Sequence, residues 1–319
     1  MGSKKYQALV YATLAAVFYA INIPASKLLL REVGPTTMAA LLYLGAGIGV
    51  GMLALVNRKE AAQAESLSKQ DLPYVIGMIV LDIVAPILLM LGISYGTSAN
   101  ASLLGNFEIV ATAIIALLIF KESVSKRLWG AIALISLSSV LLSFEGADSF
   151  KFSIGSLFVL LATTCWGLEN NCTRSIASKS TYQIVVLKGI FSGLGALAIA
   201  LIKGEVMPEL SYVLAAMLLG FVAYGMSIFM YVRAQNVLGA AKTSACYAVA
   251  PFVGAFLSFV FLRESLSWMY LVALAVMVAG SVLVVADTLI LSHTHSHEHT
   301  FVHTHDGTTN AHQVSHSHR

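Results

Sequence analysis

All nine histidines of the chain fall between His293 and His318, in a polar stretch at the end of an otherwise apolar sequence. His293, His295, His297 and His299 alternate with other residues, His303 and His305 repeat the spacing, and His312, His316 and His318 follow. Imidazole suits zinc, nickel, cobalt and copper, and alternate spacing in a flexible chain lets several rings close on one ion. Glu298 and Asp306 add carboxylate oxygens. His293, His295, His297, His299, His303 and His305 are therefore the candidate ligands, with Zn, Ni or Co as the expected ions. A tail that senses metal, buffers it, or changes charge near pH 6.5 is an alternative reading, as is one without consequence for the rest of the chain.

A second set of residues could do chemistry because it is acidic where its surroundings are not. Glu108 sits about ten residues into an apolar stretch, hence about 15 Å deep and close to the middle of a bilayer. An acidic residue there costs about 2.5 to 3.5 kcal/mol to insert, so it is expected to face a partner or a watery cavity. Asp82 lies at similar depth in the preceding stretch, one turn before Pro86. The short turn Gly96-Thr97 joins the two stretches, so the carboxylates are expected to share a proton or bracket a cation. The structural alternative is that each is satisfied by an Asn or Ser of a neighbouring helix. Asn106, on the same stretch as Glu108, is a further polar candidate.

Glu169, followed by Asn170 and Asn171, and Lys188, about two turns into the next stretch, are placed to form an ion pair between adjacent helices. Such a pair serves either as a gate or as a static clamp. Asn22 is the counterpart of Glu169 in the first stretch. Trp166 and Tyr224, with Tyr19 and Tyr247, could line a pocket for an organic solute, although membrane aromatics also pack against lipid or one another. Pro24 and Pro86 free backbone carbonyls within spans and mark gates or ordinary kinks. The run Gly45-Ala46-Gly47-Ile48-Gly49-Val50-Gly51 is read as structural, because small residues let helix backbones approach closely.

The elements that position these groups are membrane helices. Hydrophobic residues make up 58% of the 319 residues and charged residues 11%, and the mean hydropathy is +0.82. So few charges cannot cover a water-facing surface, and the net charge of +3, spread over loops, offers no face to nucleic acid. Three cysteines, Cys165, Cys172 and Cys246, lie in apolar segments and give no disulfide framework. About ten stretches are long enough to cross a hydrocarbon core of about 30 Å. They run near Gln7 to Leu29, Thr36 to Val56, Pro73 to Tyr95, Ser98 to Phe120, Leu128 to Phe144, Ile154 to Cys172, Tyr182 to Ile202, Ser211 to Tyr231, Thr243 to Leu262 and Trp268 to Ile290. The first is read as a retained helix rather than a signal peptide, since no small-residue cleavage site follows it. The excess of Lys and Arg in alternate loops puts both termini in the cytoplasm of a multi-pass protein of the inner or plasma membrane.

The pattern also repeats. Lys121-Glu122-Ser123-Val124-Ser125 recurs as Arg263-Glu264-Ser265-Leu266-Ser267 at a shift of 142 residues, and a shift near 147 sets Tyr19, Asn22 and Lys27 on Trp166, Glu169 and Arg174. The chain thus divides into a first five-helix repeat (6–144), a second (153–291) and a flexible His-rich cytoplasmic tail (292–319). An odd number of spans in each half forces opposite orientations, and inverted repeats are the mark of secondary transporters with a central site. The fold class expected is an all-α membrane protein of about ten transmembrane helices.

Trp166-Gly167 with Arg174 eight residues on, the segment Ala234 to Ser244, Pro251 and the two Glu-Ser loops resemble the EamA branch of the drug/metabolite transporter superfamily. The resemblance covers Tyr6 to Ala286. The first half departs from the pattern with Tyr19-Ala20 in place of Trp-Gly and Ile109 in place of Pro, and Ala250 precedes Pro251 where the family has Glu. The resemblance implies export of small metabolites, such as amino acids or related organic solutes, by alternating access; the residues read above, Glu108, Asp82, Asn106, Trp166 and Tyr224, are then the candidates for the substrate or coupling site. Glu169, Lys188 and Asn22 would form the gate. The alternatives are a carrier of a divalent transition metal or its complex, and a metal-sensing membrane protein. No phosphate loop and no nucleophile with a histidine base lies in the spans, so no enzyme is expected, and no required cofactor. The expected partners are the solute, the lipid bilayer, metal ions at the tail and a second copy in a homodimer.

Overall fold

A computed structural model describes residues 3–63, 65–121, 124–144, 153–176, 179–238, 247–264, 267–291, 296–305 and 308–317. The body is a bundle of helices in the order α1 (Ser3–Leu29), α2 (Pro35–Val56), the short α3 (Arg58–Gln63), α4 (Leu72–Tyr95), α5 (Ser98–Leu104), α6 (Phe107–Phe120), α7 (Lys126–Leu142), α8 (Ile154–Ser175), α9 (Thr181–Ile202), α10 (Leu210–Gly220), α11 (Ser227–Leu238), α12 (Ala250–Leu262) and α13 (Trp268–Leu291). Among the described residues, 7 helical stretches are long and apolar enough to cross a membrane, and α12 is a shorter apolar helix. Of the other expected spans, α7 has 17 residues, and α8 carries Glu169, Asn170, Asn171 and Arg174 in its final turns. The all-α membrane body expected from the sequence is therefore what the chain forms.

The two halves repeat in backbone detail. Lys121 ends α6 with φ 54° and Arg263 ends α12 with φ 52°, both in the left-handed region. Left-handed backbone costs a residue with a Cβ about 1 to 2 kcal/mol, so its use at both copies of the Glu-Ser loop reflects one shared corner geometry. The fourth span is not the continuous helix Ser98 to Phe120 that hydropathy suggested. It breaks into α5 and α6 at Gly105-Asn106, and helix likewise gives way to turn at Ala248-Val249, just before α12. The break is invisible to hydropathy because both flanks stay apolar.

Close helix contacts set the geometry around these breaks. A Cβ on Gly45 would strike the Met217 backbone, one on Gly220 the Leu42 backbone, and one on Gly47 would lie 2.7 Å from Ile190 N. The glycine run of α2 thus brings α9 and α10 against α2, backbone to backbone, as read from the sequence. Gly92 and Gly96 of α4 meet Gly155 of α8 in the same way.

Helix ends are closed by side chains from distant loops. Glu205 accepts from Thr36 N at 3.2 Å, Thr37 N at 2.8 Å and Thr37 Oγ1 at 2.9 Å, capping α2. Burial works to raise the Glu205 carboxyl, but these hydrogen bonds outweigh it and hold the group below its ordinary range. Glu264 accepts from Ser98 N and Ala99 N, each at 2.8 Å, capping α5. Lys27 donates to Ile93 O at 2.5 Å and Gly96 O at 2.7 Å, satisfying carbonyls at the end of α4.

Beyond α13, Ser296–His305 (β1) and Thr308–Ser317 (β2) pair antiparallel from Ser296↔Ser317 to His305↔Thr308. Within the stretch expected as a flexible tail, the described backbone runs as these two paired strands.

Candidate functional site

The polar centre is built on five helices. Gly189 of α9 lies so close to α2 that a Cβ there would be 2.8 Å from Tyr43 O. This approach carries the neighbouring Lys188 towards α4 and α8. Its Nζ stands 2.9 Å from Glu169 Oε1 and 3.1 Å from Asp82 Oδ2. The contact to Glu169 is a hydrogen bond. Asp82 Oδ2, despite its short distance to the ammonium, has no hydrogen-bond partner, so that contact is ionic without the alignment a hydrogen bond needs. Tyr43 OH donates to Asp82 Oδ1 at 2.9 Å, and Thr173 donates to Glu169 Oε1. Asp82 is 0% and Glu169 2% exposed.

The expected Glu169–Lys188 ion pair is present. The expected pairing of Asp82 with Glu108 is not, because Lys188 draws Asp82 to itself. Glu108 instead accepts from Asn170 Nδ2 at 2.6 Å. Gly167 permits this: a Cβ there would be 2.8 Å from Thr112 N, so α8 and α6 touch along the turn that presents Asn170 to Glu108. Glu108 is half-buried, placed in the first turn of α6 just after the break. Asn106, at the break itself, is buried, and its Nδ2 has no partner. Its neighbour one turn back, Ser102, is also buried with an unpartnered hydroxyl.

Tyrosines join these groups to the other half. Asn22 Nδ2 donates to Tyr224 OH at 3.0 Å, and Ser26 Oγ donates to Asn22 Oδ1 at 3.1 Å. Tyr224 sits in a π-helical turn, Phe221–Met226, between α10 and α11, a local widening that is frequent at functional sites. Its ring lies 5.3 Å from that of Tyr43 and 6.0 Å from that of Tyr19. Tyr19 continues to Tyr247 at 5.6 Å, and Tyr247 to Tyr231 at 5.2 Å. Trp166 is buried in the same apolar cluster as Tyr43.

The sequence reading missed Tyr43, which nothing distinguishes from other span tyrosines, and Asn170, which was read only as a neighbour of Glu169. Among the described residues no three His, Cys, Asp or Glu side chains come together as a metal site. His293 and His295 lie outside the described residues, whereas His297, His299, His303 and His305 fall on the backbone of β1. What the centre can do is clear from its chemistry: it offers a half-buried carboxylate, a buried carboxylate pair around one ammonium, spare amide and hydroxyl donors, and aromatic faces.

Comparison with known proteins bears on the chain as a whole. The model of the EamA-like transporter family matches residues 7–144 and 153–286. An uncharacterized transporter of Methanothermobacter thermautotrophicus is 27% identical over 285 residues, spanning 83% of this chain and 82% of that protein. One protein of known crystal structure shares the fold with a TM-score of 0.64 at 17% identity, over 88% of this chain and 97% of the other.

Proposed function

We propose, since this chain belongs to the EamA-like transporter family and is a membrane transporter, that it exports amino acids or related small organic solutes by alternating access between its two halves. The observation that carries this reading is Glu108. A carboxylate half-buried at a helix break, held by Asn170 and close to unpartnered Asn106 and Ser102, suits a solute with both a cationic amine and hydrogen-bonding groups. Broken helices at mid-membrane are where carriers of this kind hold substrate. Asn106 supplies donors, Tyr224 and Trp166 the walls, and Asn22 anchors Tyr224. Both termini face the cytoplasm of the inner or plasma membrane in this reading, and the carrier works as a monomer or homodimer.

The test is uptake of a radiolabelled mixture of the twenty amino acids by liposomes containing the purified full chain. Glu108→Gln is expected to lower uptake at least tenfold at equal protein insertion, a rise of about 1.4 kcal/mol or more in the transport barrier. Uptake unchanged in Glu108→Gln removes Glu108 from the site.

The nine histidines of the tail support a second, compatible reading: that the tail binds Zn, Ni or Co and reports metal to the carrier. Calorimetric titration with Zn is expected to show binding by the full chain and none by a chain ending at Leu291. Zn binding that survives this truncation rules the tail out as the site.

A further inference from the structure

We propose that Asp82, Glu169 and Lys188 form a proton-binding site, in which two carboxylates share one ammonium and one proton. The argument begins with a count of charges. Asp82 and Glu169 are 0% and 2% exposed, and Lys188 stands 3.1 and 2.9 Å from them. In water both acids ionise near pH 4. Fully ionised, the two buried acids with the half-buried Lys188 would carry one negative charge without a counterpart. A buried charge of that kind is neutralised rather than carried.

The surroundings do not supply the missing charge. α2 presents Tyr43, which donates to Asp82 Oδ1. The π-helical turn presents Tyr224, already occupied by Asn22. α8 presents Cys172 and Thr173 beside the acids. α6 presents Glu108, which acts electrostatically on Glu169 and Lys188 and makes the local balance more negative. Among the described residues, Lys188 is the one cation that faces the pair.

Geometry shows where the proton fits. Asp82 Oδ2 is buried and has no hydrogen-bond partner, so a lone pair is free beside the ammonium. A metal cation would need several oxygens around it and would sit against Lys188, whereas a proton needs one lone pair. Lys188 lies seven residues from the start of α9, about 10 Å along the helix, so water reaching that end of the bundle could exchange the proton. The proton comes from that water and returns to it, and no other bond changes. The exchange step rests on the alternating access proposed above; occupancy of the site does not.

Infrared spectroscopy of the purified full chain tests occupancy without any solute. At neutral pH the protein is expected to show a protonated-carboxyl band that persists in Glu108→Gln and disappears in both Asp82→Asn and Glu169→Gln. Each of those two variants leaves one carboxylate with one ammonium and no need for a proton, and each is checked for folding by gel filtration. A band missing from the Glu108→Gln protein, or surviving in both Asp82→Asn and Glu169→Gln, overturns the proposal. In liposomes, an imposed pH gradient is then expected to change amino-acid uptake severalfold in the parent and not in Asp82→Asn. Uptake by the parent that ignores the gradient overturns exchange during transport. Absence of any amino-acid uptake sinks the solute reading alone, since the band is decided without a solute.

Discussion

Replacing Lys188 with methionine separates a working ion triad from incidental proximity. The ammonium sits about 3 Å from two buried carboxylates, and at an effective dielectric near 20 each ionised contact is worth about 5 to 6 kcal/mol of Coulomb attraction. Desolvation of the three groups removes much of that gain. What remains decisive is the asymmetry of removal. Deleting the ammonium leaves Asp82 and Glu169 buried without a counter-charge, which costs about 3 to 5 kcal/mol. At about 2 to 4 °C per kcal/mol for a large domain, the melting point is expected to fall by on the order of 10 °C. The assay is thermal unfolding of detergent-solubilised protein followed by intrinsic fluorescence. The triple variant Lys188→Met, Asp82→Asn, Glu169→Gln is expected to regain most of the loss, because every ionisable group of the triad leaves together. A single variant that melts with the parent, or a triple variant no better than the single, would refute the reasoning.

Two further substitutions probe the frame. Glu205→Ala removes the cap of α2 and is expected to cost about 0.5 to 2 kcal/mol, read as a lower melting point near neutral pH. Since the Glu205 carboxyl lies below its ordinary range in the folded chain, its contribution is complete above about pH 4.3 and is lost as pH falls through the lowered folded value; the gap between parent and variant should therefore close in acid. Gly47→Ala places a Cβ 2.7 Å from Ile190 N, and overpacking of about 1 to 3 kcal/mol should appear as a lower melting point, while Gly51→Ala, with 3.8 Å to its nearest neighbour, should change little.

How far the sequence could be read depended on what each feature requires. Spans announce themselves because length and apolarity are properties of a single segment, and the recurrence of Lys121-Glu122-Ser123 as Arg263-Glu264-Ser265 exposed the duplication. The Glu169–Lys188 pair was legible because its two residues lie on consecutive helices at matching depth. The partner of Asp82 was not. Depth along a span is encoded by position, but which face of α4 turns towards α9 depends on tertiary contacts such as Gly195 of α9 against Ile83 of α4, and no local pattern carries that. The break at Gly105-Asn106 escaped for a related reason, since Gly and Asn are tolerated within apolar helices. The caps from Glu205 and Glu264 join residues more than 160 positions apart and leave no local trace.

The glycine contacts of α2 have a mechanical meaning. Where Gly45, Gly47 and Gly220 bring main chain against main chain, there are no rotamers to exchange and no side-chain ridges to climb, so neighbouring helices have no second register to click into. α2, α9 and α10 then form one stiff plank, and any relative motion of helices falls more easily elsewhere in the bundle. Tyr43 and Lys188 ride on that plank, whereas Asp82, Glu169 and Glu108 ride on α4, α8 and α6. The charges at the centre are thus divided between two groups of helices, and under the alternating access proposed above any movement of one group against the other opens or remakes their contacts.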